Sequence, residues 1–319
     1  GSSGEGNDIW GWTDPETHGE WAIMCCTDGT SFVNVTDPVD PRVVAWLPTE
    51  TTNSIWRDVK VYKDHAFIVS ESMNHGMQIV DLRTLKTILP FDGPETISNT
   101  AYYSEFGSSH NIVINEDTGF AYSVGTQTCN GGLHVVDISD PVDPKFVGCY
   151  AFDGYTHDAQ CVVYNGPDAD YQGHEICWAY NEDTVTVVDV TDKENMYMIS
   201  KIDYADNDYT HQGWLTKDQR YAFSNDELDE SYGSLPGHEH TRTLIWDYES
   251  LENPVLLGAF HSTEEAIDHN LYIKGDLVYE SNYCAGLRVL DCSDINNVHE
   301  VSYFDCDPDC SRVYFGGTW

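Results

Sequence analysis

Basic residues are scarce in this sequence. Its 319 residues include only 15 Lys and Arg against 54 Asp and Glu, which gives a formal net charge of −39. A chain this acidic repels nucleic acid phosphates and anionic lipid headgroups, so we expect neither as a partner. A run of about 18 apolar residues is also missing, which argues against direct membrane insertion. No basic-then-apolar leader opens the chain, so we expect that any signal peptide was removed or lies upstream.

Several familiar catalytic signatures are absent as well. The sequence contains no G-x-S-x-G elbow, no H-E-x-x-H helix and no P-loop. Helical periodicity is absent along the whole chain. What the chain does contain is 40% hydrophobic residues, with 20 Tyr, 9 Trp and 11 Phe, and this excludes a disordered acidic tail. The sequence therefore predicts a folded protein made of strands.

A short apolar run that ends in Asp or Asn recurs six times, at spacings of 44 to 58 residues. The six run ends are Asn34, Asp81, Asp137, Asp189, Asp247 and Asp291. A second apolar phrase lies upstream of each run, as in Thr156–Cys161 and Asp268–Ile273, and a further strand lies between the two. Four short strands in a repeat of about 50 residues are typical of a β-propeller. We predict an all-β propeller, because a pair of β-sandwiches does not account for six regular copies.

The repeats also predict the domain organisation. We expect a single propeller domain over residues 1–319, with repeats at about 7–48, 57–92, 110–152, 157–204, 211–261 and 269–304. Residues 311–319 begin another unit and then stop. A seven-bladed propeller with an incomplete last blade is therefore favoured over a six-bladed one.

Cysteine usage indicates the compartment. The ten Cys form none of the C-x-x-C pairs that mark zinc sites, and an even count in an acidic chain favours disulfides in an oxidising compartment. We predict the bridges Cys129–Cys149 and Cys161–Cys177, because each pair falls on neighbouring strands of one repeat. The sequence does not pair the other six, which are Cys25, Cys26, Cys284, Cys292, Cys306 and Cys310. The acid excess agrees with a saline or calcium-rich extracellular setting. Asn34 in Asn-Val-Thr is a candidate glycosylation site.

Several motifs resemble a known family. They are Asp8–Glu16, Asp28–Val33, Tyr155–Cys161, His211–Thr216, Asp226–Glu230 and Ala266–Tyr272. Together they are similar to the LVIVD-repeat proteins, also called the choice-of-anchor B family, over nearly the whole chain. The resemblance implies a secreted or surface-anchored propeller with no established catalytic activity. It also implies further strands beyond the final Gly-Thr-Trp that complete a seventh blade, and this sequence has more Cys than the family pattern.

Histidines and carboxylates recur at two positions of the repeat. In a propeller blade, the start of the first strand and the end of the second strand lie on the same face. The first-strand starts carry Asn7, Arg57, His110, His157, His211 and His269. The second-strand ends carry Glu71, Asn181, Glu182, Asp226, Glu227, Glu280 and Asn282. Such a set suits a metal site or an acid–base pocket at one channel mouth, although the favoured explanation is structural: duplicated histidines that bond the next blade.

The expected ligands follow from this pattern. We expect Arg57, Glu71, His110, His157, His211 and His269 to line a binding site at the channel mouth, where the guanidinium of Arg57 binds a carboxylate or sulfate group. Calcium is the favoured ion because of the acid excess, and we expect it at Asp226, Glu227 and Glu280, with no other cofactor.

Two further segments are interpreted as structural. The tract Gly237–His240 is expected to be a solvated loop, since this short biased segment lies within a long insertion that we expect to be exposed. The loop Asp305–Cys310 resembles a calcium loop in composition only, and a local disulfide between Cys306 and Cys310 explains it as well.

The leading functional hypothesis is a non-catalytic extracellular propeller that serves as a cell-surface, adhesion or assembly module. Its 40 aromatic residues exceed what packing requires, which suggests protein or glycan partners. An open last blade would also invite self-assembly into a filament or surface layer. The alternative is a metal-dependent hydrolase or lyase at the His and carboxylate mouth. Convergence of three or more of these side chains on one point would favour the enzyme.

Overall fold

In the computed structural model, the chain is an all-β protein whose strands form six four-stranded antiparallel blades of a β-propeller, one of which gains a short fifth strand in parallel pairing. The structure describes residues 4–88, 93–231, 240–310 and 315–319. Within these ranges the helices are two short 3₁₀ turns, Leu82–Thr87 and Cys129–Gly131, and no helix there is long and apolar enough to cross a membrane. The chain divides into two compact units, Gly1–Tyr155 and Thr156–Trp319, with three blades each.

Unit 1 contains blades 1 to 3. Blade 1 consists of β1 (Gly6–Thr13), β2 (Glu20–Cys26), β3 (Gly29–Asn34) and β4 (Arg42–Pro48). Blade 2 begins with β5 (Arg57–Tyr62), β6 (His65–Ser70) and β7 (Met77–Asp81). The short β8 (Glu95–Thr96) then pairs parallel to β4, and β9 (Ala101–Tyr103) completes blade 2. Blade 3 consists of β10 (Asn111–Asn115), β11 (Phe120–Val124), β12 (Leu133–Asp137) and β13 (Lys145–Tyr150).

Unit 2 contains blades 4 to 6. Blade 4 consists of β14 (Asp158–Val163), β15 (Glu175–Tyr180), β16 (Val185–Asp189) and β17 (Tyr197–Ile202). Blade 5 consists of β18 (Thr210–Leu215), β19 (Tyr221–Asp226), β20 (Arg242–Asp247) and β21 (Val255–His261). Blade 6 consists of β22 (Asn270–Lys274), β23 (Leu277–Ser281), β24 (Leu287–Asp291) and β25 (His299–Phe304).

The recurring apolar runs are the third strands of the blades. Strand β16 is buried along its whole length, because a blade in a propeller is covered by neighbours on both faces. Such strands are continuous apolar runs rather than alternating patterns. The prediction was wrong for the end of the second repeat: blade 2 extends to Tyr103 rather than to 92, since the 3₁₀ turn Leu82–Thr87 separates its third and fourth strands.

Neighbouring first strands are held in register by side chains of the second phrase. Four of these hydrogen bonds link Asp8 to Val59, Asp58 to Ile112, Gln160 to Leu215 and Gln212 to Leu271. In each, the side-chain oxygen of one blade accepts from the backbone N–H of the next. The carboxamide of Gln212 also donates to the carbonyl of Leu271 at 3.0 Å, so it is bound at both ends. Equivalent positions of consecutive first strands therefore lie side by side within each unit.

Both disulfides that the sequence predicts, Cys129–Cys149 and Cys161–Cys177, are present. Cys161 and Cys177 lie directly opposite each other on β14 and β15. A third bridge joins Cys284 to Cys310. The local Cys306–Cys310 alternative is therefore wrong, and Cys306 is a free, exposed thiol.

The expected seventh blade is not supported. Ser311–Tyr314 lie outside the described residues, and residues 315–319 contribute no strand to a sheet. Thr318 instead forms an isolated bridge with Tyr283, whose carbonyl accepts the N–H of Thr318 at 3.1 Å. The segment thus packs on blade 6, and the described residues contain six blades.

Candidate metal centre

Three histidines lie in a row at the starts of the first strands of unit 2. His157 precedes β14, His211 is the second residue of β18, and His269 precedes β22. Their ring centroids are 4.2 Å apart from His157 to His211 and 4.5 Å apart from His211 to His269. All three side chains are buried. The glutamine hydrogen bonds between β14, β18 and β22 produce this row, because they set equivalent residues side by side.

Glu227 faces two members of the histidine row. It is the first residue after β19, and its carboxylate oxygens lie 3.6 Å from Nε2 of His211 and 3.7 Å from Nε2 of His269. These separations are too long for good hydrogen bonds. They are close to the roughly 3.4 Å that separates two ligands of a tetrahedral ion with bonds of about 2.1 Å. One ligand atom from each of the three side chains lies within 4.8 Å of the others. The donor set fits a single divalent ion.

Aromatic side chains surround this three-residue cluster. The hydroxyl of Tyr283 donates to Oε1 of Glu227 at 2.6 Å, which fixes the orientation of the carboxylate. Burial and the neighbouring Glu227 carboxylate raise the pKa of Tyr283, so the hydroxyl remains a donor. The rings of Tyr283 and Trp319 lie 4.6 Å and 4.5 Å from the ring of His269.

His157 is bound differently from the other two histidines. Its Nδ1–H donates to the backbone carbonyl of His211 at 3.1 Å. In the neutral ring, Nε2 is then the basic nitrogen. The row therefore combines two imidazoles that face a carboxylate with a third whose tautomer is set by the backbone.

A second cluster in unit 2 consists only of carboxylates. We call Asp229, Glu230 and Asp268 the acidic triad. One carboxylate oxygen from each residue lies within 4.8 Å of the other two, and all three side chains are buried. The guanidinium Nε of Arg242 donates to Asp229 at 2.8 Å. Burial raises the pKa of Asp229 to about 6. Burial and the charges of neighbouring carboxylates also raise the pKa of Glu230 and Asp268.

The other two carboxylates expected to bind calcium have hydrogen-bond partners elsewhere. Asp226 accepts hydrogen bonds from the hydroxyl of Tyr204 at 2.9 Å and from the backbone N–H of Tyr209 at 2.6 Å. Glu280 accepts from the hydroxyl of Thr243 at 2.7 Å, and burial raises its pKa to about 7. Of the expected calcium ligands, only Glu227 belongs to the His and carboxylate cluster.

In unit 1, the expected site residues form pairs. The Nδ1–H of His110 donates to Oε1 of Glu71 at 2.6 Å. Arg57 is buried, and both terminal nitrogens of its guanidinium lie 3.2 Å from Nε2 of His75. Burial and the charge of Arg57 lower the pKa of His75 to about 4. The guanidinium that we expected to bind an anionic ligand thus contacts a neutral imidazole.

Sequence reasoning missed His75, Tyr283 and the acidic triad. His75 and Tyr283 lie in turns after second strands, outside the recurring phrases. The triad was present in quoted motifs, since Asp268 directly precedes His269 and Asp229-Glu230 ends the segment Asp226–Glu230. The adjacent acidic residues in these motifs were the sequence signal that could have indicated the triad. In the tract Gly237–His240 only His240 is described, and glycosylation of Asn34 stays a prediction.

Comparisons with known proteins establish the fold class and one repeat. Residues 106–151 match the LVIVD repeat, and no curated protein sequence matches the chain. Among solved structures, a functionally unknown protein from Desulfotomaculum acetoxidans is 11% identical, with a TM-score of 0.66, over 99% of this chain and 90% of that one.

Two further similar structures are of proteins named as lactonases. A putative 6-phosphogluconolactonase from Bacteroides fragilis is 12% identical, with a TM-score of 0.62, over 93% of this chain and 84% of that one. A periplasmic gluconolactonase from Pseudomonas aeruginosa is 11% identical, with a TM-score of 0.59, over 94% and 85%. At these identities the likeness shows the β-propeller fold alone.

Proposed function

We propose that the chain is an extracellular metal-dependent hydrolase whose metal ion binds at His211, Glu227 and His269. The observation that carries this proposal is the convergence of two imidazole nitrogens on the two oxygens of one carboxylate, at 3.6 and 3.7 Å. Two His and one Glu form a known catalytic zinc set that leaves a fourth position for water or substrate. Imidazole ligands favour a transition metal over calcium, because calcium prefers oxygen ligands.

A bound divalent ion in this position supplies Lewis-acid polarisation and acidifies water. The residues of the chain supply the rest of the chemistry. Tyr283 holds the Glu227 carboxylate, and His157 offers Nε2 as a general base next to His211. In ester or lactone hydrolysis, water adds to the carbonyl carbon and the bond to the leaving oxygen breaks. The proton taken from water is returned to that oxygen.

The extracellular part of the proposal is supported by three disulfides and by the acid excess. The motifs that resemble the choice-of-anchor B family support the same location. Lactones are the first substrates to test, since a putative 6-phosphogluconolactonase and a periplasmic gluconolactonase share this fold.

The test compares hydrolysis of a panel of lactones and carboxylic esters by zinc-loaded and metal-stripped full-length protein. We expect metal-dependent turnover that is lost in Glu227→Gln and lowered in His157→Gln, while His157→Gln retains the metal. The matched control is Glu71→Gln in unit 1, which should hydrolyse as the wild type does. Turnover that survives metal removal, or zinc-loaded protein that hydrolyses nothing on the panel, would contradict the hydrolase.

A non-catalytic adhesion or assembly role is the second candidate. The observation that favours it is the exposed apolar surface of the outer strands in unit 2. Val301, Tyr303 and Phe304 on β25 are 49%, 63% and 67% exposed. Such residues suit a protein or glycan partner, or a second copy of the chain. Light scattering of wild type and Phe304→Lys tests self-assembly: a smaller assembly in the variant supports this role, and monomers in both contradict it.

A further inference from the structure

The acidic triad buries three carboxylates in a small volume. Asp229, Glu230 and Asp268 are 1%, 3% and 1% exposed. A charged carboxylate that leaves water without a partner costs several kcal/mol, so buried carboxylates normally pair with a cation or take up a proton. The triad therefore requires an explanation beyond ordinary packing.

Asp268 provides an independent observation. Both of its carboxylate oxygens are buried, and neither has a hydrogen-bond partner in the part of the chain that the structure describes. One of them lies within 4.8 Å of a carboxylate oxygen of Asp229 and of one of Glu230. A buried carboxylate that lies beside two other buried carboxylates, with no donor to it among the described residues, is the arrangement expected of a cation site.

The positive charge beside the triad does not neutralise it. Arg242 is bound to Asp229, to which it donates through Nε at 2.8 Å and through Nη2 at 2.6 Å. Asp226 and Glu280 add further negative potential at Asp268. Within the described residues, Arg242 is the cationic side chain that contacts this group of carboxylates, and a second positive charge beside Asp268 would lower the cost of burying it.

We propose that the acidic triad binds one calcium ion. Calcium takes oxygen ligands at 2.3–2.6 Å, so two ligands on opposite sides of the ion are up to about 5 Å apart. The triad oxygens lie within that span. All the ligands in the triad are carboxylates, and oxygen ligands of this kind favour calcium over the softer transition metals. Magnesium keeps several waters in its shell, and a buried set of three carboxylates suits it less well.

The ion would tie together two segments of unit 2. Asp229 and Glu230 lie in the loop after β19, and Asp268 lies just before β22. The same segments carry Glu227 and His269. Calcium would therefore order the loop and the strand start that form the transition-metal site. The proposal stands on the triad alone and does not require that second metal.

The experiment measures calcium binding to full-length protein after treatment with chelator. Isothermal titration calorimetry with calcium chloride is run at high salt, which screens diffuse binding to the acidic surface. We expect one saturable site per chain. Asp268→Asn and Glu230→Gln should each weaken it at least tenfold, whereas the exposed Asp294→Asn should bind as the wild type does. His211→Ala should retain the calcium site, which separates this proposal from the hydrolase.

Thermal unfolding gives a second readout that does not depend on one variant. Calcium should raise the melting temperature of the wild type by linkage. In chelator, Asp268→Asn should unfold at the same temperature as the wild type or higher, because it removes a buried charge; in calcium the order should reverse. If wild-type protein shows no saturable calcium site, or Asp268→Asn responds to calcium as the wild type does, the proposal is overturned.

Discussion

Units 1 and 2 place the same residue types at the same repeat positions, yet the side chains interact differently. Glu71 is the first residue after β6, as Glu227 is after β19. Each carboxylate reaches the histidine before the first strand of the following blade, His110 or His269. In unit 1 the contact is a hydrogen bond of 2.6 Å. In unit 2 the corresponding carboxylate, Glu227, also faces a second histidine, His211. Its distances to Nε2 of His211 and to Nε2 of His269 both exceed 3.5 Å.

The difference originates at one position. The residue at the start of the first strand is Arg57 in blade 2 and His211 in blade 5. Arg57 turns to His75 and leaves Glu71 to His110 alone. His211 instead points to Glu227 and creates a shared carboxylate. A metal-ligand set thus needs the histidine to repeat in consecutive blades. With arginine at that position in blade 2, the side chains form separate hydrogen-bonded pairs instead.

The largest expected effect is a loss of zinc affinity when a histidine is removed from unit 2 but not from unit 1. His211→Ala should weaken zinc binding by about 1,000-fold, or about 4 kcal/mol, because it removes one of three ligands. The position-matched His110→Ala should leave zinc affinity unchanged. Competition titrations with a chromophoric chelator measure both. Equal losses in the two variants would mean that the two units do not differ in the way described.

The next effect concerns acid stability in unit 1. His75 has a pKa of about 4 in the folded protein, against about 6.5 in the unfolded chain. Above pH 6.5 the imidazole is neutral in both states, and protonation does not oppose folding. Stability is lost as the pH falls from about 6.5 towards 4, by about 3 kcal/mol in all. His75→Gln keeps an acceptor for Arg57 and does not titrate, so its unfolding free energy should fall less over this range.

Urea unfolding at several pH values measures this effect. The exposed His18→Gln is the control and should retain the acid dependence of the wild type. A His75→Gln profile that superimposes on the wild-type profile would show that His75 is not held neutral by burial and by Arg57.

The sequence predicted the blade architecture well and the site only in part. The apolar runs and their spacing identify the six complete blades, because a buried third strand must be apolar on both faces, whereas the incomplete seventh blade expected from residues 311–319 is not supported. The pairings Cys129–Cys149 and Cys161–Cys177 followed from the same strand positions. The sequence did not predict which carboxylate contacts which histidine. Whether Glu227 or Glu280 faces His269 depends on the directions of the side chains, which residue spacing does not determine. Cys284–Cys310 was missed for a similar reason, since its two cysteines lie in irregular segments outside the repeat.

The smallest expected effect distinguishes two tyrosines. Tyr283→Phe removes the hydroxyl that holds Glu227, and zinc affinity should fall about tenfold, or about 1.4 kcal/mol. Tyr103 in unit 1 bonds Nε2 of His134 at 2.7 Å, so Tyr103→Phe should lower the free energy of unfolding by about 1 kcal/mol and leave zinc affinity unchanged. Zinc titration and urea unfolding of both variants check this. An unchanged affinity in Tyr283→Phe would remove the orienting role of the hydroxyl.

X-ray absorption spectroscopy of the zinc-loaded full-length protein tests the central claim most directly. Two histidines and one glutamate predict a first shell of nitrogen and oxygen at about 2.0–2.2 Å, with outer-shell scattering from two imidazole rings. The Glu227→Gln variant should lose the ion or change this shell. A wild-type protein that retains no zinc after gel filtration, or that binds zinc through fewer than two imidazoles, would contradict the metal centre.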